Sequence, residues 1–190
     1  MDATEFLATV RRNPNTAAIL DRLADLCIND AWLVSGALFQ TAWNVATGRP
    51  PTHGILDYDV FYFDDTDLSW DAEDRVIKAV DRAFADLDVK IEVRNQARVH
   101  LWYEEKFGAA YPAVSEAKQS IDNFLAKACM VGLCPQRTGA PQLYAPAGLD
   151  DIANLTIRPN YSSNFQPARY REKADRWVSV WPELTVVAPA

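Results

Sequence analysis

The sequence is poor in several features that mark special classes of protein. It contains three cysteines and two histidines in 190 residues, and the spacing of Cys27, Cys129 and Cys134 matches neither a zinc motif nor a disulfide framework. No apolar run approaches the roughly 20 residues that a membrane-spanning helix needs. The opening residues alternate acidic, apolar and basic side chains, which predicts an amphipathic helix and not a secretory leader. We therefore expect a cytoplasmic protein with no membrane partner.

The chain also lacks a positive net charge, because 19 basic residues face 26 acidic ones and leave a net charge of −7. Nonspecific nucleic-acid binding depends on many Lys and Arg contacts to phosphates, so we do not expect it. The charge is unevenly distributed. Residues 57–92 hold twelve acids and four bases, whereas residues 156–176 hold five bases and two acids. The basic segment is either a phosphate-facing patch or the solvated face of a helix with internal ion pairs.

What the chain does contain is typical of a folded globular protein, with 49% hydrophobic and 24% charged residues and eleven prolines that form no linker. The periodicity of its apolar residues predicts helices and strands in alternation. We predict one α/β (α+β) domain over residues 1–190, with a catalytic core at 31–145 and a mainly helical C-terminal extension at 146–190. The predicted strands are 31–34, 57–63, 89–93 and 128–133, and the predicted helices after residue 30 are 37–46, one capped by Ser69, 115–125, 148–155 and 168–180.

Two aspartates stand in a predicted strand, where this residue type is uncommon. Asp57 and Asp59 are separated by one residue, so they share a face of the strand. Two ionised carboxylates held so close repel one another unless a cation lies between them, and oxygen ligands of this kind suit Mg²⁺, with Mn²⁺ as a possible substitute. The alternative interpretation is the solvent-exposed face of an edge strand.

Two further residues extend this pattern. Gly36 lies at a strand-to-helix turn, where free backbone N–H groups and the helix dipole can hold a phosphate. Glu92 lies on the polar face of a later strand, so it could meet Asp57 and Asp59 at one end of the sheet. Carboxylates that bridge two metal ions would activate an attacking hydroxyl and stabilise a leaving pyrophosphate. The pattern therefore indicates nucleotidyl transfer.

The sequence resembles a bacterial nucleotidyltransferase-like family within the nucleotidyltransferase superfamily, whose type member is DNA polymerase beta. The glycine turn at Gly36, the acid pair at residues 57–59 and the third acid at Glu92 link it to the superfamily. Four further segments resemble the smaller family, at residues 95–100, 145–151, 158–160 and 181–184. The resemblance implies a mixed-sheet nucleotidyltransferase fold flanked by helices.

The resemblance also implies roles for particular residues. Asp57, Asp59 and Glu92 are the expected catalytic and metal-binding acids, and the turn at Gly36 is the expected phosphate site. Ala37 follows that glycine where the superfamily usually has serine or glycine, so Ser35 is the residue that could supply a hydroxyl. Arg98 could bind a nucleotide phosphate, although a structural hydrogen-bonding role is an equal alternative.

The expected function is Mg²⁺-dependent transfer of a nucleoside monophosphate from an NTP to an unidentified hydroxyl acceptor. Two alternatives stay open: a sugar-nucleotide transferase that uses the Asp57–Asp59 pair, and a non-catalytic nucleotide-binding regulatory module.

Overall fold

The computed structural model describes all of residues 1–190, which form seven α-helices and seven short β-strands. The helices are α1 (Ala3–Val10), α2 (Pro14–Leu23), α3 (Gly36–Ala46), α4 (Trp70–Ala83), α5 (Tyr103–Phe107), α6 (Asp150–Ala153) and α7 (Pro167–Val180). The strands are β1 (Trp32–Val34), β2 (Tyr58–Tyr62), β3 (Ile91–Asn95), β4 (Gly132–Cys134), β5 (Gln142–Tyr144), β6 (Thr156–Ile157) and β7 (Thr185–Val186). None of the helices has the length and apolarity needed to cross a membrane.

Local sequence signals set several of these boundaries. The Asn13 side chain caps α2 by accepting hydrogen bonds from the N–H groups of Asn15 and Thr16, and Pro14 fills the first helical position. Ser69 caps α4 by accepting a hydrogen bond from the Ala72 N–H, as the sequence predicted. Gly48 follows α3 with a φ of +70°, a left-handed conformation that a side chain would oppose.

Five strands form one mixed sheet in the order β3-β2-β1-β4-β5. Strands β2 and β3 are parallel, and the other three neighbouring pairs are antiparallel. The helix between β2 and β3, α4, provides the crossover that a parallel pair requires. The mixed sheet with flanking helices confirms the predicted fold class.

The two faces of this sheet have different neighbours. Leu33, Val60 and Val93 point to the main hydrophobic core, which is completed by helices α1 to α4 and α7. On the opposite face, Trp32 and Val34 pack in a smaller cluster against a 3-10 helix at Ala117–Asn123. The smaller cluster covers only part of its face, which leaves the polar residues of β2 and β3 beside a cleft.

Two predicted elements in the middle of the chain are wrong in type or position. The segment predicted as a Ser115-capped helix is the 3-10 helix Ala117–Asn123, and the Ser115 N–H itself donates to the Gln119 side chain at 2.8 Å. The strand predicted at residues 128–133 is the shorter β4, preceded by a 3-10 turn. There the N–H groups of Met130 and Val131 donate to carbonyls two or three residues earlier, so they cannot join a strand ladder.

The C-terminal part is less helical than predicted. Helix α7 matches the predicted helix, but the helix predicted at residues 148–155 is only the four-residue α6. Leu155 stops it, since this residue adopts a φ of +51°. The chain then forms β6, which pairs in parallel with β7, and the sequence analysis predicted neither strand.

Candidate active site

The predicted acids lie along the polar face of β2 and β3. Asp59 and Glu92 are direct partners in the parallel register of the two strands, so their side chains leave the sheet on the same side. Asp57 precedes the first residue of β2 and lies two residues from Asp59, which places it on that same side. The structure therefore brings the three acids to one face of the sheet, at the end where β2 begins.

Asp59 has the most perturbed carboxylate of the three. Burial, which is the largest cause, and the negative charges of Asp57 and Glu92 together raise its pKa to about 7. The positive charges of Lys173 and Arg94 oppose this rise without cancelling it. The side chain is therefore poised between its charged and neutral forms near neutral pH.

Glu92 is held by two cations. Lys90 donates a hydrogen bond to its carboxylate, and the Arg94 guanidinium lies 3.8 Å away. The hydrogen bond from Lys90 lowers the pKa of Glu92, so this acid is ionised at neutral pH. In this arrangement no group of three or more His, Cys, Asp or Glu side chains stands in a geometry that could hold a metal ion.

Helix α3 begins beside these acids. Val34, the last residue of β1, is the register partner of Asp59, and Ser35 and Gly36 follow it directly. The N–H groups of Leu38 and Phe39 both donate to the Ser35 carbonyl. The two preceding N–H groups, of Gly36 and Ala37, lie before the first intrahelical bond and are available to an anion.

Ser35 and Gly36 contribute differently to this turn. Ser35 is buried, its φ is +53°, and its side chain interacts with the buried thiol of Cys129. Its left-handed backbone shapes the turn. A Cβ added at Gly36 would lie 3.2 Å from Nε2 of Gln40, so the absence of a side chain keeps the helix N-terminus open.

Helix α7 brings basic side chains to the same region. Arg169, Lys173 and Arg176 are spaced by four and three residues, so they share one face of the helix. Arg169 and Lys173 line a cavity beside β2 and β3, and Arg176 lines a second cavity together with Asp57. This face corresponds to part of the predicted basic segment, whereas Arg158 of that segment pairs with Asp151.

The cavity beside β2 and β3 has a volume of about 170 Å³ and is lined by aromatic as well as basic side chains. Phe61 lies two residues after Asp59 on the same face of β2, and Arg94 bears the same relation to Glu92 on β3. Trp102 and Tyr103 also line it. We call this space the aromatic cavity. It is continuous with the face that carries the acids.

Arg98 occupies a structural position. Its guanidinium pairs with the buried Glu73 of α4, and its Nε donates to the Leu68 carbonyl at 2.8 Å. Glu73 in turn accepts a hydrogen bond from the N–H of Asn95 at the end of β3. Through Glu73, these bonds join α4 to the end of β3 and to the 3-10 helix Gln96–Leu101 that contains Arg98. Arg94 is the arginine that the structure places beside the acids.

Sequence reasoning missed Arg94 and the aromatic cavity. Arg94 carried a usable signal, because alternation along β3 puts it on the same face as Glu92. The aromatic cavity had no such signal in the sequence. Its walls come from β2, β3, α5, α7 and two 3-10 helices, which only the folded chain brings together.

The chain is similar to known proteins both in its sequence and in its fold. A family model described as nucleotidyltransferase matches residues 21–186. A solved NMR structure, described as revealing a CCA-adding enzyme head domain, superimposes with a TM-score of 0.79 at 23% sequence identity, over 99% of this chain and 97% of the other. No curated protein sequence matches the chain. The solved structure shows the same fold, and the family model covers most of the chain, including every acid of the site.

Proposed function

This chain belongs to the nucleotidyltransferase family, and on that basis we propose that it transfers a nucleoside monophosphate from an NTP to a hydroxyl acceptor with Mg²⁺ as its cofactor. One observation carries the proposal. Asp59 and Glu92 are register partners on one face of the sheet. Val34 of β1 is the partner of Asp59 on its other side, and α3 begins two residues after Val34. Carboxylates and a phosphate-binding helix N-terminus thus meet at one place, as nucleotidyl transfer requires.

The chemistry of the acids fits a divalent cation. Burial and two neighbouring negative charges act on Asp59, and a cation between the acids would relieve both effects. Asp57, Asp59 and Glu92 are the residues that would hold Mg²⁺. The ion would then replace Lys90 as the partner of the Glu92 carboxylate. A bound Mg²⁺ supplies charge stabilisation at the reacting phosphate and lowers the pKa of an attacking hydroxyl.

The surrounding residues account for the rest of the substrate. The free N–H groups at the start of α3 bind the phosphate tail of the NTP, and Lys173 and Arg176 offset its negative charge from the side of α7. Asp57 shares a cavity of about 220 Å³ with Arg176 and Gln40, next to the Gly36 turn. This cavity is the proposed place of the triphosphate.

Calorimetric titration with each of the four NTPs tests the proposal. We expect binding with Mg²⁺ and none with EDTA, because the acids repel a triphosphate that no cation accompanies. Asp59→Asn should abolish Mg²⁺-dependent binding and the release of pyrophosphate. Asp81→Asn is the matched control, since Asp81 is exposed on α4 away from the site, and it should bind as the wild type does.

A second variant tests the helix N-terminus. Gly36→Val introduces a branched side chain beside the free N–H groups and against Gln40, so it should weaken NTP binding with Mg²⁺ present. Equal NTP affinity with Mg²⁺ and with EDTA would place the nucleotide elsewhere. Titration with UDP-sugars addresses the sugar-nucleotide alternative, and binding of NTP without any turnover would favour the regulatory module.

A further inference from the structure

Lys90 lies among the acids of the site. Tyr58 and Ile91 are partners in the parallel register of β2 and β3, and one residue earlier Lys90 stands opposite Asp57. The backbone supports this position, because the Tyr58 N–H donates to the Lys90 carbonyl at 2.9 Å. Alternation along the chain places Lys90 on the same face of the sheet as Glu92, two residues later. A cation is therefore built into the acid face.

Both carboxylate oxygens of Glu92 face a cation. Lys90 donates a hydrogen bond to Oε1, and Nη2 of Arg94 lies 3.8 Å from Oε2. Of the three acids of the site, Glu92 is the one that forms ion pairs. A divalent cation that binds Glu92 must therefore displace one of these two partners.

Lys90 is the partner that can leave. Its side chain is 65% exposed and forms no ion pair except the one with Glu92. The Arg94 guanidinium has a second contact, because its Nη1 donates to the Val93 carbonyl at 2.9 Å. Arg94 also stands beyond hydrogen-bond distance from Glu92, so it contributes charge without occupying a lone pair. Lys90 occupies the lone pair that a metal ion needs.

The acid face is close to charge balance without a metal ion. Three cations act on its three acids: Lys90, Arg94 and Lys173. The hydrogen bond to Glu92, the charge of that acid and the charge of Asp57 raise the pKa of Lys90, so this lysine interacts with two of the acids. A site whose fixed charges nearly cancel attracts a free divalent cation weakly. Removal of one cation should strengthen that attraction.

We propose, on the basis of the proposed function, that Lys90 is an internal counter-ion that competes with the divalent cation for Glu92. It thereby sets the Mg²⁺ concentration at which the site fills. In the metal-free protein its ammonium pairs with the Glu92 carboxylate and offsets the repulsion between the acids. When the ion binds, the ammonium moves into solvent, which its exposure permits. An exposed pair changes an equilibrium by a factor of only about two to five, so Lys90 tunes metal binding without preventing it.

Mn²⁺ binding in the absence of nucleotide tests the inference, measured by the electron paramagnetic resonance signal of free Mn²⁺. Lys90→Met keeps the apolar stem and removes the charge, so we expect Mn²⁺ to bind about two- to fivefold tighter than in the wild type. Lys90→Arg keeps a cation beside Glu92 and should bind Mn²⁺ as weakly as the wild type. Lys106→Met is the matched control, because the exposed Lys106 acts on Glu92 by its charge without forming an ion pair. Its effect should be smaller than that of Lys90→Met.

Thermal melts provide a second measurement that a purely structural role would not reproduce. In EDTA, Lys90→Met should melt slightly below the wild type, because Glu92 loses its hydrogen-bonded partner. Added Mn²⁺ should raise the melting temperature of Lys90→Met more than that of the wild type, since a tighter ligand stabilises the folded state more at equal concentration. A lysine that only stabilised β3 would lower the melting temperature and leave the response to Mn²⁺ unchanged.

Two results would overturn the inference: Mn²⁺ binding by Lys90→Met that is unchanged or weaker, or an equal gain in Lys106→Met. The second result would show that the general field of the protein acts and not the contact with Glu92. The NTP titration separates this inference from the proposed function. Mg²⁺-dependent NTP binding together with unchanged Mn²⁺ affinity in Lys90→Met refutes only the role of Lys90, whereas a wild type without Mg²⁺-dependent NTP binding refutes the function itself.

Discussion

At the scale of the residue, Asp59 stands in surroundings that oppose its own charge. Its pKa is raised to about 7, so between about pH 4 and pH 7 the folded protein holds a proton that the unfolded chain releases. Without divalent cations, the contribution of Asp59 to the free energy of unfolding therefore falls as pH rises through this range and is constant above it. Asp59→Asn cannot ionise and should be more stable than the wild type at pH 8, by up to about 4 kcal/mol.

Thermal melts in EDTA at several pH values measure this difference between the wild type and Asp59→Asn. Asp81→Asn should follow the wild-type pH dependence, because Asp81 is exposed. Added Mg²⁺ should stabilise the wild type above pH 7 and leave Asp59→Asn unchanged. A variant that melts below the wild type at pH 8 would show that the charged carboxylate stabilises the fold, contrary to this account.

At the scale of the element, a buried ion pair joins α4 to the 3-10 helix Gln96–Leu101 that follows β3. Glu73 is 2% exposed and has Arg98 as its only cationic partner. Arg98→Ala leaves this buried charge without compensation, so we expect a loss of about 3–5 kcal/mol in the free energy of unfolding, measured by urea denaturation. Arg75→Ala, which removes an exposed pair between Arg75 of the same helix and Asp67 of the preceding loop, should cost less than about 1 kcal/mol.

The same pair of variants separates the two roles considered for Arg98. A structural residue alters stability and leaves the NTP affinity of the folded protein unchanged. If Arg98→Ala retained its stability but lost NTP affinity, Arg98 would be a nucleotide ligand, as the first interpretation of the sequence had it.

At the scale of the whole molecule, the C-terminal helix shares the core of the sheet. Trp177 packs on Phe39 and Trp43 with ring centres 5.4 and 6.1 Å apart, and the Trp181 indole donates a hydrogen bond to Asn44 at 2.7 Å. Trp181→Ala should lower the free energy of unfolding by about 3–5 kcal/mol. The loss should appear in one transition, at the same temperature by far-ultraviolet circular dichroism and by tryptophan fluorescence. An early transition confined to the C-terminal residues would show that α7 is a separate unit.

The sequence alone predicted the local structure that short-range physics controls. Alternation in β2 and β3 placed the acids on polar strand faces, and the cap residue Ser69 marked the start of α4. Helix α7 was predicted for the same reason, since its apolar residues recur at helical spacing. These features depend on neighbours a few residues apart, which are visible in the sequence.

Only the tertiary structure decided which residues face one another. The strand order placed Val34 and Glu92 on either side of Asp59, and no local pattern specifies a register between strands that lie far apart in the chain. In the folded chain Arg98 pairs with the buried Glu73, whereas Arg94 and Lys173 lie near the acids. The short 3-10 turns replaced predicted regular elements because their N–H groups found acceptors within the turn. The aromatic cavity exists for the same reason, because its walls come from segments that lie far apart in the chain.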